Sequence, residues 1–318
     1  MTQPGHAVPD RPILVSGATG AIGREVVRAL LEQHAPIRVF VRSPEKVAHL
    51  PDRVERAVGS FGDPDAIARA LAGTHAAFFV SPHDDAEEEN AENFVSACER
   101  ERIRLVFAGV HADGGTVITR ALGRAMLRLF LPPYAAKLRI AERIRTSRTQ
   151  PVVLIPGNYY QNDELCREQI LDGTYPLPHR LAPRVDTRDV GDAAARALLD
   201  PTVPSGGYAL VGPASMTGEE TAASWSAALG REVRYAPDID LTDRLLDAGY
   251  GGRKASDFKK TYRLLGKMAI ETKPSQVAEV AYLLGRPIEW DPENERAVND
   301  EEANRMLLHE PGRGPWHV

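Results

Sequence analysis

The sequence predicts an α/β fold built on a doubly wound parallel sheet, and three observations predict it. Short apolar runs alternate strictly with amphipathic helical stretches from residue 12 to residue 108. A glycine-rich turn falls at the first strand-to-helix joint. Runs such as Ala77-Phe78-Phe79-Val80 are apolar throughout, as strands covered on both faces are.

The elements follow in order. Pro12-Ile13-Leu14-Val15-Ser16 is the first strand, and 21–33 is a helix because Ile22, Val26, Val27, Leu30 and Leu31 recur at helical spacing. A strand at 37–41, a helix from Ser43, a strand at 54–58 and a helix at 63–72 come next. A strand at 76–80, a helix at 84–100 and a strand at 105–108 complete the alternation. The rhythm then breaks into a helical region over 116–148, divided in two by Leu131-Pro132-Pro133, before a strand at 152–155. Beyond Pro156 the pattern reads as loops rich in aromatics and prolines, a helix at 188–199, a strand at 208–211, a helix at 218–229 and a helical stretch over 240–284. This gives an organisation of 11–156 as a nucleotide-binding domain, 157–274 as a smaller, mostly helical substrate-covering region that returns to it, and 275–318 as a tail.

Composition narrows the function. A chain of 318 residues with 43% hydrophobic and 26% charged residues has the make-up of an ordinary globular protein. Its net charge of -5 offers no electrostatic footprint for nucleic acid. No run approaches the roughly 18 apolar residues of a membrane span, and residues 1–10 carry no apolar signal core. The two cysteines, Cys98 and Cys166, fall in no C-x-x-C spacing, so a reducing cytoplasm is the expected location and no structural metal is expected.

The chemistry begins at Gly17-Ala18-Thr19-Gly20-Ala21-Ile22-Gly23, a G-x-x-G-x-x-G between strand and helix. Glycines there permit a tight turn, close approach of backbone to a pyrophosphate and close helix-on-strand packing, while the N–H groups of the helix N-terminus favour the anion. The pattern in this context predicts a Rossmann-like dinucleotide site. At the end of the second strand, where an NAD site usually carries a carboxylate, stands Arg42, followed by Lys46. A guanidinium pairs well with a 2′-phosphate, so the expected cofactor is NADP(H).

Several segments resemble the NmrA-like and isoflavone-reductase-like atypical short-chain dehydrogenases. They are Ile13 through Gly20, Arg38-Val39-Phe40-Val41-Arg42-Ser43-Pro44-Glu45-Lys46, Asp63-Pro64 with Ala70-Leu71-Ala72-Gly73, Tyr134-Ala135-Ala136-Lys137 with Ala141-Glu142, Ile155-Pro156-Gly157-Asn158-Tyr159-Tyr160-Gln161-Asn162, and Asp186 to Asp200 with Tyr208 to Gly230. The resemblance covers about 11–236. It implies an NADP(H) site to which Ser60, Phe61, Val80, Ser81, Pro82, Gly109, Pro156, Gly157, Asn158 and Tyr159 also belong, and it places Lys137 at the family's proton-transfer position. Ser60 stands where many relatives carry an acidic residue. The family contains both reductases and silent regulators that sense the cofactor.

The usual short-chain dehydrogenase serine is absent from Ala108-Gly109-Val110-His111, and Tyr134 precedes Lys137 by three residues rather than four. A Tyr-x-x-x-Lys does occur at Tyr250 and Lys254, but it flanks Gly251-Gly252 and reads as coincidence. The catalytic candidates are therefore Lys137, Tyr134 and His111.

Other features carry weaker readings. Residues 119–130 form a basic amphipathic helix that could pack on the body, lie on a membrane, recruit a partner or close as a lid. His83 and His111 follow strand ends and could orient substrate or relay a proton. The acidic run Asp84, Asp85, Glu87, Glu88 and Glu89 reads as a helix N-terminus favoured by the macrodipole. Tyr134, Tyr159 and Tyr160 could line an aromatic wall or belong to the core. The stretch 281–293 with 299–304 and Pro315-Trp316 resembles the C-terminal end of Gfo/Idh/MocA-type dehydrogenases.

The expected activity is an NADP(H)-dependent reductase of a small, mostly apolar carbonyl, quinone, imine or enone, and the rival is a cofactor-sensing regulator with a protein partner. A small-molecule substrate is the expected partner, with no nucleic acid and no membrane span, and a homodimer is the possible assembly.

Overall fold

A computed structural model describes residues 8–82, 84–109, 132–212, 214–237, 252–267, 290–291, 296–297 and 301. The chain folds as two units, Met1–Pro156 with Asp186–Ala209, and Gly157–Val185 with Leu210–Val318.

The first unit is a seven-stranded sheet. Its strands are β1 (Ile13–Ser16), β2 (Ile37–Val41), β3 (Glu55–Val58), β4 (Ala76–Phe79), β5 (Arg104–Ala108), β6 (Val152–Pro156) and β10 (Gly206–Leu210). Their order is β10-β6-β5-β4-β1-β2-β3, and β1 to β6 run parallel. The chain moves outward from β1 to β3 on one side and then outward from β4 on the other, so the winding reverses between β1 and β4. Ligands of open parallel sheets bind beyond the strand C-termini at such a reversal. Central strands β1 and β4 are wholly buried, while edge strand β3 is partly exposed.

Helices α1 (Gly23–Glu32), α2 (Pro64–Leu71), α3 (Glu87–Glu101), α4 (Pro132–Arg145) and α6 (Thr187–Leu199) belong to this unit. Helices α2, α3 and α4 enclose a core in which Phe40, Phe61, Phe79, Phe94 and Phe107 pack edge-to-face or stacked, with centroids 4.9 to 5.7 Å apart. Helix α6 lies against α1, close enough that a Cβ on Gly191 would stand 2.6 Å from the Glu25 backbone. Arg28 bridges the pair to Asp192 at 2.6 Å.

The alternation predicted for 12–108 is present, with one correction. The helix expected from Ser43 is a single 3-10 turn, Pro44–Val47. Pro44 can begin a helix, but Pro51 disfavours helical backbone at Leu50, and β3 begins four residues beyond it. Pro132 and Pro133 open α4, where the expected division places the second helix and where their missing N–H groups cost nothing; the helix expected before them lies outside the described residues.

The second unit corrects the reading of 157–185 as loops. It contains β7 (Asn158–Tyr159), a 3-10 segment (Tyr160–Cys166), α5 (Arg167–Leu171), β8 (Thr174–Tyr175) and β9 (Ala182–Val185). Later in the chain come β11 (Ser215–Met216), α7 (Gly218–Leu229), β12 (Arg234–Tyr235) and α8 (Gly252–Leu265). Strands pair as β11-β9-β7 and as β12-β8. Most are two residues long, too short for any periodicity, and they exist because distant segments pair with them. Of the tail, β13 (Trp290–Asp291) and β14 (Arg296–Ala297) form a two-stranded ladder. Among the described residues no helix is long and apolar enough to cross a membrane, and both cysteines are buried and in no disulfide.

Candidate functional site

The glycine turn sits at the C-terminal end of β1, next to the end of β4. Gly17 adopts φ +67°, a left-handed backbone that glycine takes without steric cost, and a Cβ there would strike Val80 Cγ1 at 2.5 Å. The Gly20 N–H closes the turn by donating to Gly17 O at 2.8 Å. Gly23 opens α1 so close to this turn that a Cβ would lie 2.1 Å from Gly17 O. The Val80 N–H donates to Ser16 Oγ at 3.3 Å, tying the two strand ends together.

The turn is also an open cradle for an anion. Helices α2, α6 and α7 are capped by the side chains of Asp63, Asp186 and Thr217. Among the described residues no side chain caps α1, nor α3 or α5. The first N–H groups of a helix need a partner from outside it, and the positive end of the dipole favours a phosphate there. Thr19, Ala21 and Ile22 belong to this turn. The residues present thus fit a dinucleotide.

Arg42 and Lys46 follow β2, the strand next to β1, and both side chains are exposed. Ser60 is exposed beyond β3, whereas the Phe61 ring turns into the aromatic core. Gly109 closes β5 with a Cβ position only 2.1 Å from the Phe107 ring, and its N–H donates to Leu154 O. Pro156 ends β6.

Beyond β4, Val80, Ser81 and Pro82 lead toward α3, and here the structure joins two features the sequence kept apart. The Lys137 ammonium, from α4, donates to Glu87 Oε1 at 2.5 Å and to Ser81 Oγ at 3.4 Å. The Ser81 hydroxyl donates to the same Glu87 oxygen at 2.8 Å. The Glu87 side chain is 2% exposed and that of Lys137 is 21% exposed. A buried carboxylate is costly without partners. Glu87 has two, and it also stands at the first position of a 15-residue helix, where the dipole favours negative charge.

The acidic run does open α3, as its reading as a helix N-terminus expects, but that reading does not single out Glu87 as a functional candidate. A signal was present: Glu87, Ala91, Phe94, Val95 and Cys98 share one helical face, and all are buried. Glu88 of the run and Glu92 one turn beyond it instead form partly exposed ion pairs. Glu88 pairs with Arg139 and Glu92 with Arg143, and those arginines hold both carboxyls below the usual carboxylate range.

His111, His83, Tyr250 and residues 119–130 lie outside the described residues, as does the Tyr134 side chain. In the second unit Gly157 packs against Pro183 O, which would stand 2.7 Å from a Cβ. Asn158 is held by the Tyr262 hydroxyl and by the Asn162 amide, both at 3.2 Å. Tyr159 is half-buried beside it. The Tyr160 ring lies under the Arg184 guanidinium, 4.6 Å from centroid to carbon. Arg184 is 1% exposed and is paired with Asp163 at 2.7 Å. Asp163 also accepts from the Tyr175 hydroxyl and the Trp225 indole. This network locks the segment that follows β6.

Sheet order, glycine turn and uncapped first helix together define a dinucleotide-binding α/β protein. A profile of the family described as NAD(P)H-binding matches residues 17–201, more than half of the chain. The chain belongs to that family. It is 30% identical over 231 residues to an NAD(P)H azoreductase of Xenophilus azovorans, covering 70% of this chain and 76% of that protein. It is 29% identical over 300 residues to the (4-alkanoyl-5-oxo-2,5-dihydrofuran-3-yl)methyl phosphate reductase of Streptomyces griseus subsp. griseus, covering 91% of this chain and 100% of that protein. The fold is shared with the NADPH-dependent quinone oxidoreductase of Escherichia coli solved with NADPH, at a TM-score of 0.69 and 18% identity over 93% of this chain and 100% of that one.

Proposed function

We propose that the protein is an NADPH-dependent reductase of small, mostly apolar acceptors whose double bond is conjugated or polarised: quinones, enones, imines and related electrophiles. The observation that carries this reading is the lysine at the sheet reversal, held by Glu87 and Ser81 beside the strand end that touches the glycine turn. Reductase names among the relatives support the same class.

Bound NADPH would supply the hydride. The backbone from Gly17 to Gly23 would hold its pyrophosphate, and Arg42 with Lys46 would pair with the 2′-phosphate. Ser60, Phe61, Val80, Ser81, Pro82, Gly109 and the segment Pro156, Gly157, Asn158 and Tyr159 complete the proposed cofactor set. Hydride addition to a carbonyl, quinone or enone leaves negative charge on the acceptor heteroatom. The Lys137 ammonium stabilises that charge and gives it a proton. The resulting amine regains a proton from water, to which the partly exposed side chain is open.

Lys137→Met tests the reading because it keeps most of the apolar stem and removes the charge. NADPH oxidation with menadione and with cyclohexenone should show kcat lowered by about 10² to 10⁴, the contribution of a positioned proton donor. The NADPH Kd should change far less. Turnover that survives Lys137→Met intact would remove lysine from the mechanism. A parent protein that binds NADPH yet turns over no acceptor would instead favour a cofactor sensor.

A further inference from the structure

We infer that Glu87 is a positioning residue of this reaction: its buried carboxylate fixes the Lys137 ammonium and keeps a charged proton donor at the strand ends. The inference rests on the proposed role of Lys137 and adds a residue that acts only through it.

A ladder of ion pairs joins α3 to α4. Glu88 meets Arg139, and Glu92 and Glu99 meet Arg143, with Glu88, Glu92 and Arg139 about half exposed. Exposed pairs of this kind contribute little to stability, typically below about 1 kcal/mol. All of these outer rungs use arginine, which forms bidentate pairs and does not give up its proton near neutral pH. Only the rung next to the strand ends uses lysine, the cation able to donate a proton and take one back. For holding two helices together, a third arginine would serve better.

Burial separates this rung from the others as well. Glu87 is 2% exposed, whereas the carboxylates of the outer rungs range from 24% to 50%. Charge–charge attraction is far less screened in such a site, so Glu87 sets where the ammonium sits. Lys137 has a long stem, and without the carboxylate nothing in the Ser81–Glu87–Lys137 cluster would outcompete water for its charge. Ser81 completes the hold by donating to Glu87 while lying within 3.4 Å of the ammonium. Glu87 and Ser81 hold the Lys137 nitrogen in place while it gives its proton to the reduced acceptor and regains one from water.

The test compares Glu87→Gln, Lys137→Met, Lys137→Arg and Glu87→Gln/Lys137→Met with menadione as acceptor, alongside NADPH titration and thermal melting. Glu87→Gln preserves shape and should lower kcat about 10- to 100-fold, a part of what a positioned donor contributes, with KM and NADPH Kd within about threefold of the parent. Added to Lys137→Met, it should have no further effect on kcat. Lys137→Arg keeps the ion pair and should still lose most of kcat, separating proton delivery from structural pairing.

Full kcat in Glu87→Gln, with Lys137→Met inactive, would overturn the role of Glu87 and leave that of Lys137 standing. An equal loss from Glu87→Gln in both backgrounds would make Glu87 a structural residue. Full turnover in Lys137→Met and Lys137→Arg would instead refute the reading beneath both. If Glu87→Gln fails to fold, Ser81→Ala replaces it, since it loosens the cluster without burying a new polar group. A kcat loss there that vanishes in the Lys137→Met background supports the inference, and no loss overturns it.

Discussion

Replacing Gly23 by alanine should damage the protein far more than replacing Gly20, although both are glycines of one motif. A Cβ on Gly23 would lie 2.1 Å from Gly17 O and 2.5 Å from Gly17 C. Side-chain carbons essentially never approach within 3.0 Å, so strand and helix must part by at least 0.9 Å. The obstacle is backbone, which no rotamer change can relieve. Such overpacking costs about 1–3 kcal/mol, offset in part by the roughly 1 kcal/mol that alanine gains over glycine within a helix. Displacing α1 by about 1 Å also draws its N-terminus away from the pyrophosphate position, where hydrogen bonds to a charged group contribute about 1.5–3 kcal/mol. Gly20 faces the same oxygen at 3.3 Å, which a few tenths of an ångström relieve. Fluorescence titration with NADPH should therefore show Gly23→Ala weakened by about 10- to 100-fold, or roughly 1.4–2.7 kcal/mol, and Gly20→Ala by only a few-fold. Thermal melting should rank the variants the same way. Equal Kd values for Gly23→Ala and the parent, or equal losses for both variants, would refute the reasoning.

Arg42→Ala should weaken NADPH binding by about 1–3 kcal/mol while leaving NADH nearly unchanged, and equal losses for both would remove the 2′-phosphate assignment. Asp163→Ala strips the pair from an arginine that is 1% exposed and should cost about 3–5 kcal/mol in urea unfolding. Glu164→Ala, one residue away but exposed and paired with exposed Arg167, should cost less than about 1 kcal/mol, and similar losses would contradict the burial argument. His179 is pushed down from 6.5 to about 4 by burial and by the nearby Arg184 charge. The unfolded chain takes up a proton that the folded unit resists, so stability is lost as pH falls through that window, by up to about 1.4 kcal/mol per pH unit. Substituting His179→Gln should flatten this dependence in urea titrations between pH 6.5 and pH 4, and an unchanged slope would exclude histidine as its source.

What local pattern can carry was legible in the sequence. Period and apolarity located β1 to β6 because each central strand is covered on both faces and each helix shows one apolar stripe. The glycine turn was legible because its conformational demands, left-handed Gly17 and close-packed Gly23, are met within seven residues. Arg42 was visible at the end of β2 because position on a strand end follows from chain order alone. What the sequence left undecided depended on distant residues meeting. Ser81, Glu87 and Lys137 are up to 56 residues apart, and only the packing of α3 against α4 beside β4 makes one cluster of them. The sequence placed Glu87 at a helix N-terminus but could not tell it from the charges beside it; tertiary structure buried it by closing α4 over the face it shares with Phe94 and Cys98. Between residues 157 and 185 the strands are two to four residues long and their partners lie elsewhere in the chain. No local period can encode a pairing made across the fold, so that order was decided by tertiary contacts alone.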